Sequence, residues 1–399
     1  MAKTKKTISL DNGGDSFIQS IQKDINDAMG KLVAYNLDTE DPLEVKQFST
    51  GSDLIDLICR GEFGEGDQKG GIPSGRILMI NGESGSGKSL LLHIIKDVID
   101  KGGVAMYLDT EGATNLSFPK MIGVDTSKVI FIPPESCETV ETTFSIVDKF
   151  FNSLIKSKNP NRFGIIGIDS VTTLSTGDEM DEEGLQTRAY PTKARMMSKI
   201  MRKKGLIPQT NVCLCLTNQL RTDIGDTSFF GDKMTVPTGI AQFFTASTVL
   251  RLYKSSKIKG DSSGNILGQV IRVKTEKSRF TRPYREVKIP LHFEQGLLNE
   301  ISIYDKLDEM KVFNGKTKAK KIENEGLEGA VLEDDKILKF AQKDTNLYKT
   351  NKDLKNWCQL KLKEEFMKPA ASDAEGTTMI DYSNESESEE NGTNDESEE

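Results

Sequence analysis

Eight residues wedged between an apolar run and a helical stretch constrain this chain more than anything else in it. The run is ILMI (77–80) and the stretch is LLLHIIKDVID; between them, after Asn81, stand Gly82, Glu83, Ser84, Gly85, Ser86, Gly87, Lys88 and Ser89. They fit the phosphate-loop pattern GxxxxGK[ST], which joins a strand, a backbone cradle and a helix N-terminus. Glycines let the backbone curl until successive N–H groups face phosphate oxygens. Lys88 has the reach for the β- and γ-phosphates, and the Ser89 hydroxyl suits Mg²⁺. The following helix offers its positive end to the same anion. The expected ligand is a nucleoside triphosphate with Mg²⁺.

Four short apolar runs read as buried strands: ILMI (77–80), VAMYL (104–108), IIGI (165–168) and VCLCL (212–216). Their spacing leaves room for crossover helices, so the expected class is α/β with a largely parallel, doubly wound sheet. In such sheets the ligand lies beyond the carboxyl ends of the strands. The phosphate loop, Asp109-Thr110-Glu111, Asp169-Ser170 and Asn218-Gln219 follow the four runs, and they should converge on one phosphate group. Asp169 then suits the Mg²⁺ water shell as a hard oxygen ligand. Glu111 is the candidate general base for the attacking water. Asp109 competes for that role, or is a structural acid. Gln219 is placed to hydrogen-bond the γ-phosphate and pass its presence to the segment that follows.

A length of 399 residues allows one large domain with appendages, or two. The N-terminus MAKTKKTISL has charge without an apolar stretch behind it, and no run approaches ~18 apolar residues, so a cytoplasmic chain with no membrane partner is expected. Five cysteines without a CxxC pair argue against a disulfide framework, and two histidines make a His/Cys zinc site a poor fit. His93 reads as a packed or capping residue rather than a ligand. Eleven acids and no Lys or Arg fall in residues 369–399; they carry the formal charge from +3 over residues 1–368 to −8 for the whole chain. A tail so composed is expected to be disordered. It serves solubility, or it mimics nucleic acid and competes for a basic groove.

Two aperiodic stretches, TGDEMDEEGLQTRAYP and LRTDIGDTSFFGDKMTVPTG, read as long functional loops. Between them TKARMMSKIMRKK reads as a helix with a cationic face (Lys193, Arg195, Lys199, Arg202, Lys203) and a packing face of Met196, Met197 and Met201. Tyr190, Phe229 and Phe230 in the flanking loops can stack on or wedge between bases, which favours a single-strand platform over a merely solvated surface.

At this point FSTGSDLIDL, GGIPSGRILMINGESGSGKS, DTEGATNLSFPKMIGVD, IGIDSVTTL, ARMMSKIMRK and NQLRTDIG stand in one order over roughly residues 46–300, and together they resemble the successive signatures of the RecA recombinases. The build is most similar to the bacteriophage UvsX-type branch, with a C-terminal third unlike bacterial RecA. The resemblance implies a RecA-like ATPase core over 46–300, an N-terminal oligomerisation segment (1–45), a small C-terminal domain (301–368) and the acidic tail. It implies ATP and Mg²⁺ as cofactors, with Glu111 activating water and Gln219 coupling the γ-phosphate to DNA. Asn115 and Phe118 fall on the family's adenine-contacting positions, Asn115 in place of an aspartate. DNA loops would span about 178–192 and 220–239, with Arg195, Arg202 and Arg221 on phosphates and Ile224 between base triplets. Lys277 and Arg279 resemble the pair that reaches the neighbouring subunit's nucleotide.

The stripe of Phe17, Ile18, Ile21, Ile25, Ala28, Met29 and Leu32 packs on its own core or docks on the adjacent protomer. The implied activity is a DNA-dependent ATPase that forms helical filaments on single-stranded DNA, pairs with homologous double-stranded DNA and exchanges strands. A recombination mediator and a single-strand-binding protein are the implied further partners. A RecA-fold ring helicase or branch-migration ATPase, and a non-catalytic switch, are the competing readings.

Overall fold

The computed structural model describes residues 13–30, 33–34, 46–61, 70–114, 117–157, 163–177, 189–202, 206–222, 234–235, 241–260, 265–312, 319–321, 339–341 and 346–367. The chain divides into two compact units, Met1–Ile303 and Tyr304–Glu399.

In the first unit α1 (Gly13–Met29) leads to β1 (Gln47–Phe48), α2 (Asp53–Arg60) and β2 (Ile72–Pro73). Then come β3 (Ile77–Gly82), α3 (Leu90–Asp100), β4 (Val104–Asp109), α4 (Ser117–Met121), β5 (Val129–Ile132), α5 (Val140–Lys156) and β6 (Gly164–Asp169). After these come α6 (Ala189–Arg202), α7 (Leu206–Thr210), β7 (Val212–Gln219), the short pair β8 (Arg221–Thr222) and β9 (Met234–Thr235), and α8 (Ala241–Thr245). A meander of β10 (Thr248–Lys259), β11 (Ile266–Ser278), β12 (Glu286–His292) and β13 (Gly296–Leu297) follows.

One nine-stranded sheet, in the order β13-β12-β11-β10-β3-β7-β6-β4-β5, organises the unit. From β10 to β5 every pairing is parallel; from β10 to β13 every pairing is antiparallel. The four runs read as strands are β3, β4, β6 and β7, side by side in the parallel half. β3 is buried along its whole length, and β6 and β7 up to their last residues. Continuous apolar sequence is what a strand covered on both faces needs. The α/β class with a mostly parallel sheet is the fold observed. The antiparallel extension is an addition: β10 to β12 alternate apolar and charged residues, and Arg251–Glu276 (3.0 Å) and Arg272–Glu286 (3.2 Å) link neighbouring strands across it.

Helices cover the sheet through spaced apolar positions. α5 buries Val140, Thr143, Phe144, Val147 and Phe151, a single stripe at helical period, and starts at Thr139, whose side chain accepts from the Thr142 N–H. Met197 and Met201 of α6 join the same core. Lys193 corrects the expected cationic face of that helix. It is buried and donates to the Thr172 carbonyl at 2.7 Å, while Arg195 and Lys199 are exposed. On α1 the expected stripe turns to solvent from Phe17 to Met29: Phe17 is 67% exposed, Ile18 56% and Met29 57%, while Leu32 lies outside the described residues. Asn26 closes the end of that helix by accepting from the Val33 and Ala34 amides.

The second unit contains the pair Ala319–Lys321 and Lys339–Ala341 and the helices Asn346–Thr350 and Lys352–Met367. Tyr348, Leu354, Trp357 and Leu362 are buried there. The Phe366 side chain and the acidic tail lie outside the described residues. Among the described residues no helix is long and apolar enough to cross a membrane.

His93 is a packed residue of α3. A β-carbon on Gly296 would fall 2.5 Å from its Cε1, so only glycine tolerates that approach. Burial, with Lys96 adding to it, pulls the imidazole down to about 4. The unfolded imidazole takes its proton near 6.5, so the folded state loses stability as pH falls from about 6.5 to about 4, by roughly 3 kcal/mol in all. His93→Leu should lack this loss. Urea unfolding at pH 7 and pH 4 tests it, and parallel pH profiles for the two proteins contradict a neutral buried ring.

Candidate functional site

Strand register assembles the site. Gly82 pairs with Gln219 across β3 and β7, and Asp109 pairs with Asp169 across β4 and β6, all at carboxyl ends. The edge opens into a cavity of about 430 Å³ lined by Lys88, Ser89, Glu111, Asp169, Phe118 and Tyr107, among others. Phe293, from the turn after β12, lines it too. The larger share of the expected nucleotide site is therefore brought to one place.

The phosphate loop is shaped by what its glycines admit. A β-carbon on Gly82 would lie 2.2 Å from Ser86 Oγ, and Gly87, at φ +99°, would meet the Ile271 side chain of β11 at 3.1 Å. Gln269, also on β11, donates to the Gly85 carbonyl at 2.7 Å. The antiparallel meander thus braces the loop from outside. Lys88 Nζ donates to the Glu83 carbonyl (2.9 Å) and the Gly82 carbonyl (3.3 Å). Burial lowers the Lys88 ammonium from its ordinary value, and Asp169 and Glu111 oppose that shift.

Each acid is held differently. Asp169 Oδ1 accepts from Thr217 Oγ1 at 2.6 Å and Oδ2 from the Tyr107 hydroxyl at 3.0 Å. Burial nevertheless raises its carboxyl, with Glu111 adding to the rise and the two hydroxyls and Lys88 opposing it. Glu111 Oε1 accepts from Ser170 Oγ at 2.6 Å, so the candidate base is tethered beside the candidate metal-side acid. Asp109 turns to the backbone instead: Oδ1 accepts from Gly112 N (2.9 Å) and Glu111 N (3.2 Å), and Oδ2 from Thr114 N (3.0 Å). It shapes the loop that carries Glu111.

Gln219 is anchored through its backbone, its N–H donating to Thr172 Oγ1 at 2.9 Å. Beneath it runs a buried amide chain, in which Asn218 Nδ2 donates to Asn81 Oδ1 (3.1 Å) and Gln242 Oε1 (3.4 Å). Lys277 and Arg279 do not line the cavity. Lys277 Nζ donates to the Phe243 (2.7 Å) and Phe244 (2.8 Å) carbonyls at the end of α8, and Arg279 reaches Phe244 O at 3.4 Å. Arg195 stands exposed on α6. Tyr190 and Arg202 lie on α6 and Arg221 on β8, but their side chains are outside the described residues, as are Asn115, Ile224, Phe229 and Phe230 altogether.

Sequence reasoning missed Tyr107, Phe293 and the anchoring of Lys193. Tyr107 had a signal, because residues two apart on a strand share a face and Asp109 is on that face. Phe293 had none, since only the folded sheet brings it to the cavity that Phe118 also lines.

The donor set suits a Mg²⁺-bound polyphosphate: a partly buried ammonium, the hydroxyl of Ser89 at the start of α3 and two carboxylates around one opening. Comparison with known proteins agrees. The model of the RecA N-terminal domain matches residues 16–298. Protein RecA of Borrelia hermsii is 33% identical over 263 residues, 65% of this chain and 68% of that protein. Protein RecA of Mycoplasma pneumoniae is 32% identical over 303 residues, covering 75% and 80%. The chloroplastic DNA repair protein recA homolog 1 of Arabidopsis thaliana is 30% identical over 298 residues, covering 74% and 63%.

The chain belongs to the RecA family. It is a recombinase of the RecA type, a DNA-dependent ATPase of homologous recombination and repair. Family membership brings ATP binding, DNA binding and filament formation with it.

Asp109→Ala deprives three loop amides of their acceptor. Stability should fall by about 1–3 kcal/mol in chemical denaturation, and ATP turnover should fall with it as Glu111 loses its place. Unchanged turnover would show that the loop keeps its form without the carboxylate.

Proposed function

We propose that this RecA-family chain polymerises as a helical filament on single-stranded DNA, pairs it with homologous duplex and exchanges strands, with ATP and Mg²⁺ setting the grip. The observation that carries this reading is the convergence of Lys88, Ser89, Glu111 and Asp169 on one cavity, with Gln219 at the same sheet edge. Ser89 and Asp169 are the oxygens that would hold Mg²⁺, which neutralises phosphate charge when bound. Lys88 offsets the negative charge of the β- and γ-phosphates. Glu111, steadied by Ser170, takes the proton of the attacking water. Phe118 and Phe293, which line the cavity, are the aromatic groups for the base, and Asn115 is the further base-contacting residue that the family resemblance implies.

Gln219, the last residue of β7, immediately precedes the segment 220–239, so a hydrogen bond to the terminal phosphate there is felt directly by a DNA-binding loop. Arg195, Arg202 and Arg221 contact the backbone, giving affinity independent of sequence; Ile224, Phe229, Phe230 and Tyr190 meet the bases. Homology is then read by base pairing between strands, so no base-reading motif is needed. Lys277 and Arg279 face the neighbouring protomer's nucleotide, where a guanidinium bridges phosphate oxygens well. The exposed stripe of α1 docks on the adjacent protomer.

Domains follow the same reading: 1–45 for assembly, 46–300 for ATP and DNA, 301–368 for capturing duplex, 369–399 as an acidic tail that competes for the DNA groove. A mediator and a single-strand-binding protein act with it in the cytoplasm, that of the host if a phage encodes it. The bacteriophage UvsX-type placement rests on the C-terminal third, which falls beyond the matched residues.

Two variants test the chemistry. Lys88→Ala should abolish ATP binding and joint-molecule formation from homologous single-stranded and duplex DNA; intact exchange would remove the phosphate-loop assignment. Glu111→Gln should keep ATP and the filament while turnover drops by about 10²–10⁴-fold. Retained turnover would place the base elsewhere.

A further inference from the structure

We propose that Tyr107 is a positioning residue of the nucleotide site, its hydroxyl orienting the Asp169 carboxylate toward a divalent cation and tying it to the loop that carries Glu111. The proposal rests on the reading of Asp169 as the metal-side acid.

The ring and the hydroxyl of Tyr107 belong to different environments. The residue is 4% exposed, and its ring stacks on Phe131, its neighbour in register across β4 and β5, with centroids 6.2 Å apart. That packing fixes where the phenol oxygen goes. The oxygen lies 3.0 Å from Asp169 Oδ2 and 3.0 Å from Thr114 Oγ1, and the residue lines the cavity. A phenol has one proton and a carboxylate has none to give, so Tyr107 donates to Asp169 and the Thr114 hydroxyl donates to Tyr107. Thr217 Oγ1 donates to the other oxygen of Asp169 at 2.6 Å. Each carboxylate oxygen therefore has one protein donor, with lone pairs left for the water shell of a cation. Two donors on opposite oxygens also stop the carboxylate from rotating about its Cβ–Cγ bond.

Thr114 extends the connection. Its backbone N–H donates to Asp109 Oδ2, so the segment 110–114 is pinned at its far end to both the Asp109 carboxylate and the Tyr107 hydroxyl. Glu111 is inside that segment. One phenol oxygen thus sets the position of the cation-facing acid and limits the play of the base. Partners that orient a metal-side ligand in this way commonly change metal affinity by 10–100-fold when removed.

The test uses the full-length chain saturated with ADP, into which Mn²⁺ is titrated by calorimetry or electron paramagnetic resonance. Tyr107→Phe keeps the stacked ring and should weaken Mn²⁺ roughly tenfold. ADP affinity in EDTA should stay within about twofold, since a lone uncharged contact is worth little to metal-free nucleotide. Thr114→Val, which removes the donor to Tyr107 but leaves the bond from Tyr107 to Asp169, should weaken Mn²⁺ less than Tyr107→Phe does; an equal or larger loss would place the effect in the loop and overturn the role of the phenol. The thermal midpoint checks folding, and Tyr107→Met, a flexible apolar side chain without the hydroxyl, replaces the Phe variant if that one unfolds. Unchanged Mn²⁺ affinity in Tyr107→Phe alongside its loss in Asp169→Asn overturns the role of Tyr107 and leaves Asp169 in place. Unchanged affinity in Asp169→Asn removes the metal-side reading, and Tyr107 with it. Equal weakening of ADP with and without metal would mean that Tyr107 only shapes the cavity, which also overturns the proposal.

Discussion

Parallel pairing of β3, β7, β6 and β4 in one register is the constraint from which the site follows. A strand's side chains alternate, so a slip by one residue would turn each terminal residue to the other face. With Gly82 opposite Gln219 and Asp109 opposite Asp169, a lysine, a hydroxyl and two carboxylates arrive at the same edge without any long-range recognition between them. The buried chain Asn81–Asn218–Gln242 lies just behind that edge. Such groups are costly to bury unless paired, so a shifted register of β3 against β7 would strand amides in the core. The hydrogen bonds that satisfy them therefore also discriminate against wrong pairings.

The site sets two carboxylates against one ammonium. Asp169 and Glu111 repel each other in a partly dry setting, and Lys88 stands between the demands of burial and of its two acidic neighbours. Hydroxyls from Thr217, Tyr107 and Ser170 supply the remaining stabilisation, each donating to a single carboxylate oxygen. Away from the cavity, Lys277 and Arg279 rest on carbonyls at the C-terminal end of α8, where the helix presents partial negative charge.

The phosphate loop was legible because its chemistry is local, and the four central strands because both their faces are covered. β10 to β12 interleave apolar with charged residues, so no uninterrupted apolar run marks them as the four central strands are marked. Helical spacing placed Lys193 with Arg195 and Lys199, but spacing carries no knowledge of the Thr172 carbonyl one layer below. Met197 and Met201 were readable as a packing face since they recur at helical period. Glu111 and Asp109 look alike on paper; only the folded loop separates a carboxylate held by Ser170 from one spent on three backbone amides.

All five cysteines, Cys59, Cys137, Cys213, Cys215 and Cys358, are free and buried, and burial pushes every thiol up, Cys137 to about 11 and Cys213 to about 12. At neutral pH thiolate is scarce in such surroundings, and thiolate is what reacts. A single cysteine introduced on the exposed stretch of β10, at Ser255 or Ser256, would therefore be the thiol that a maleimide dye finds first. The native cysteines could then stay in place while that one position is labelled.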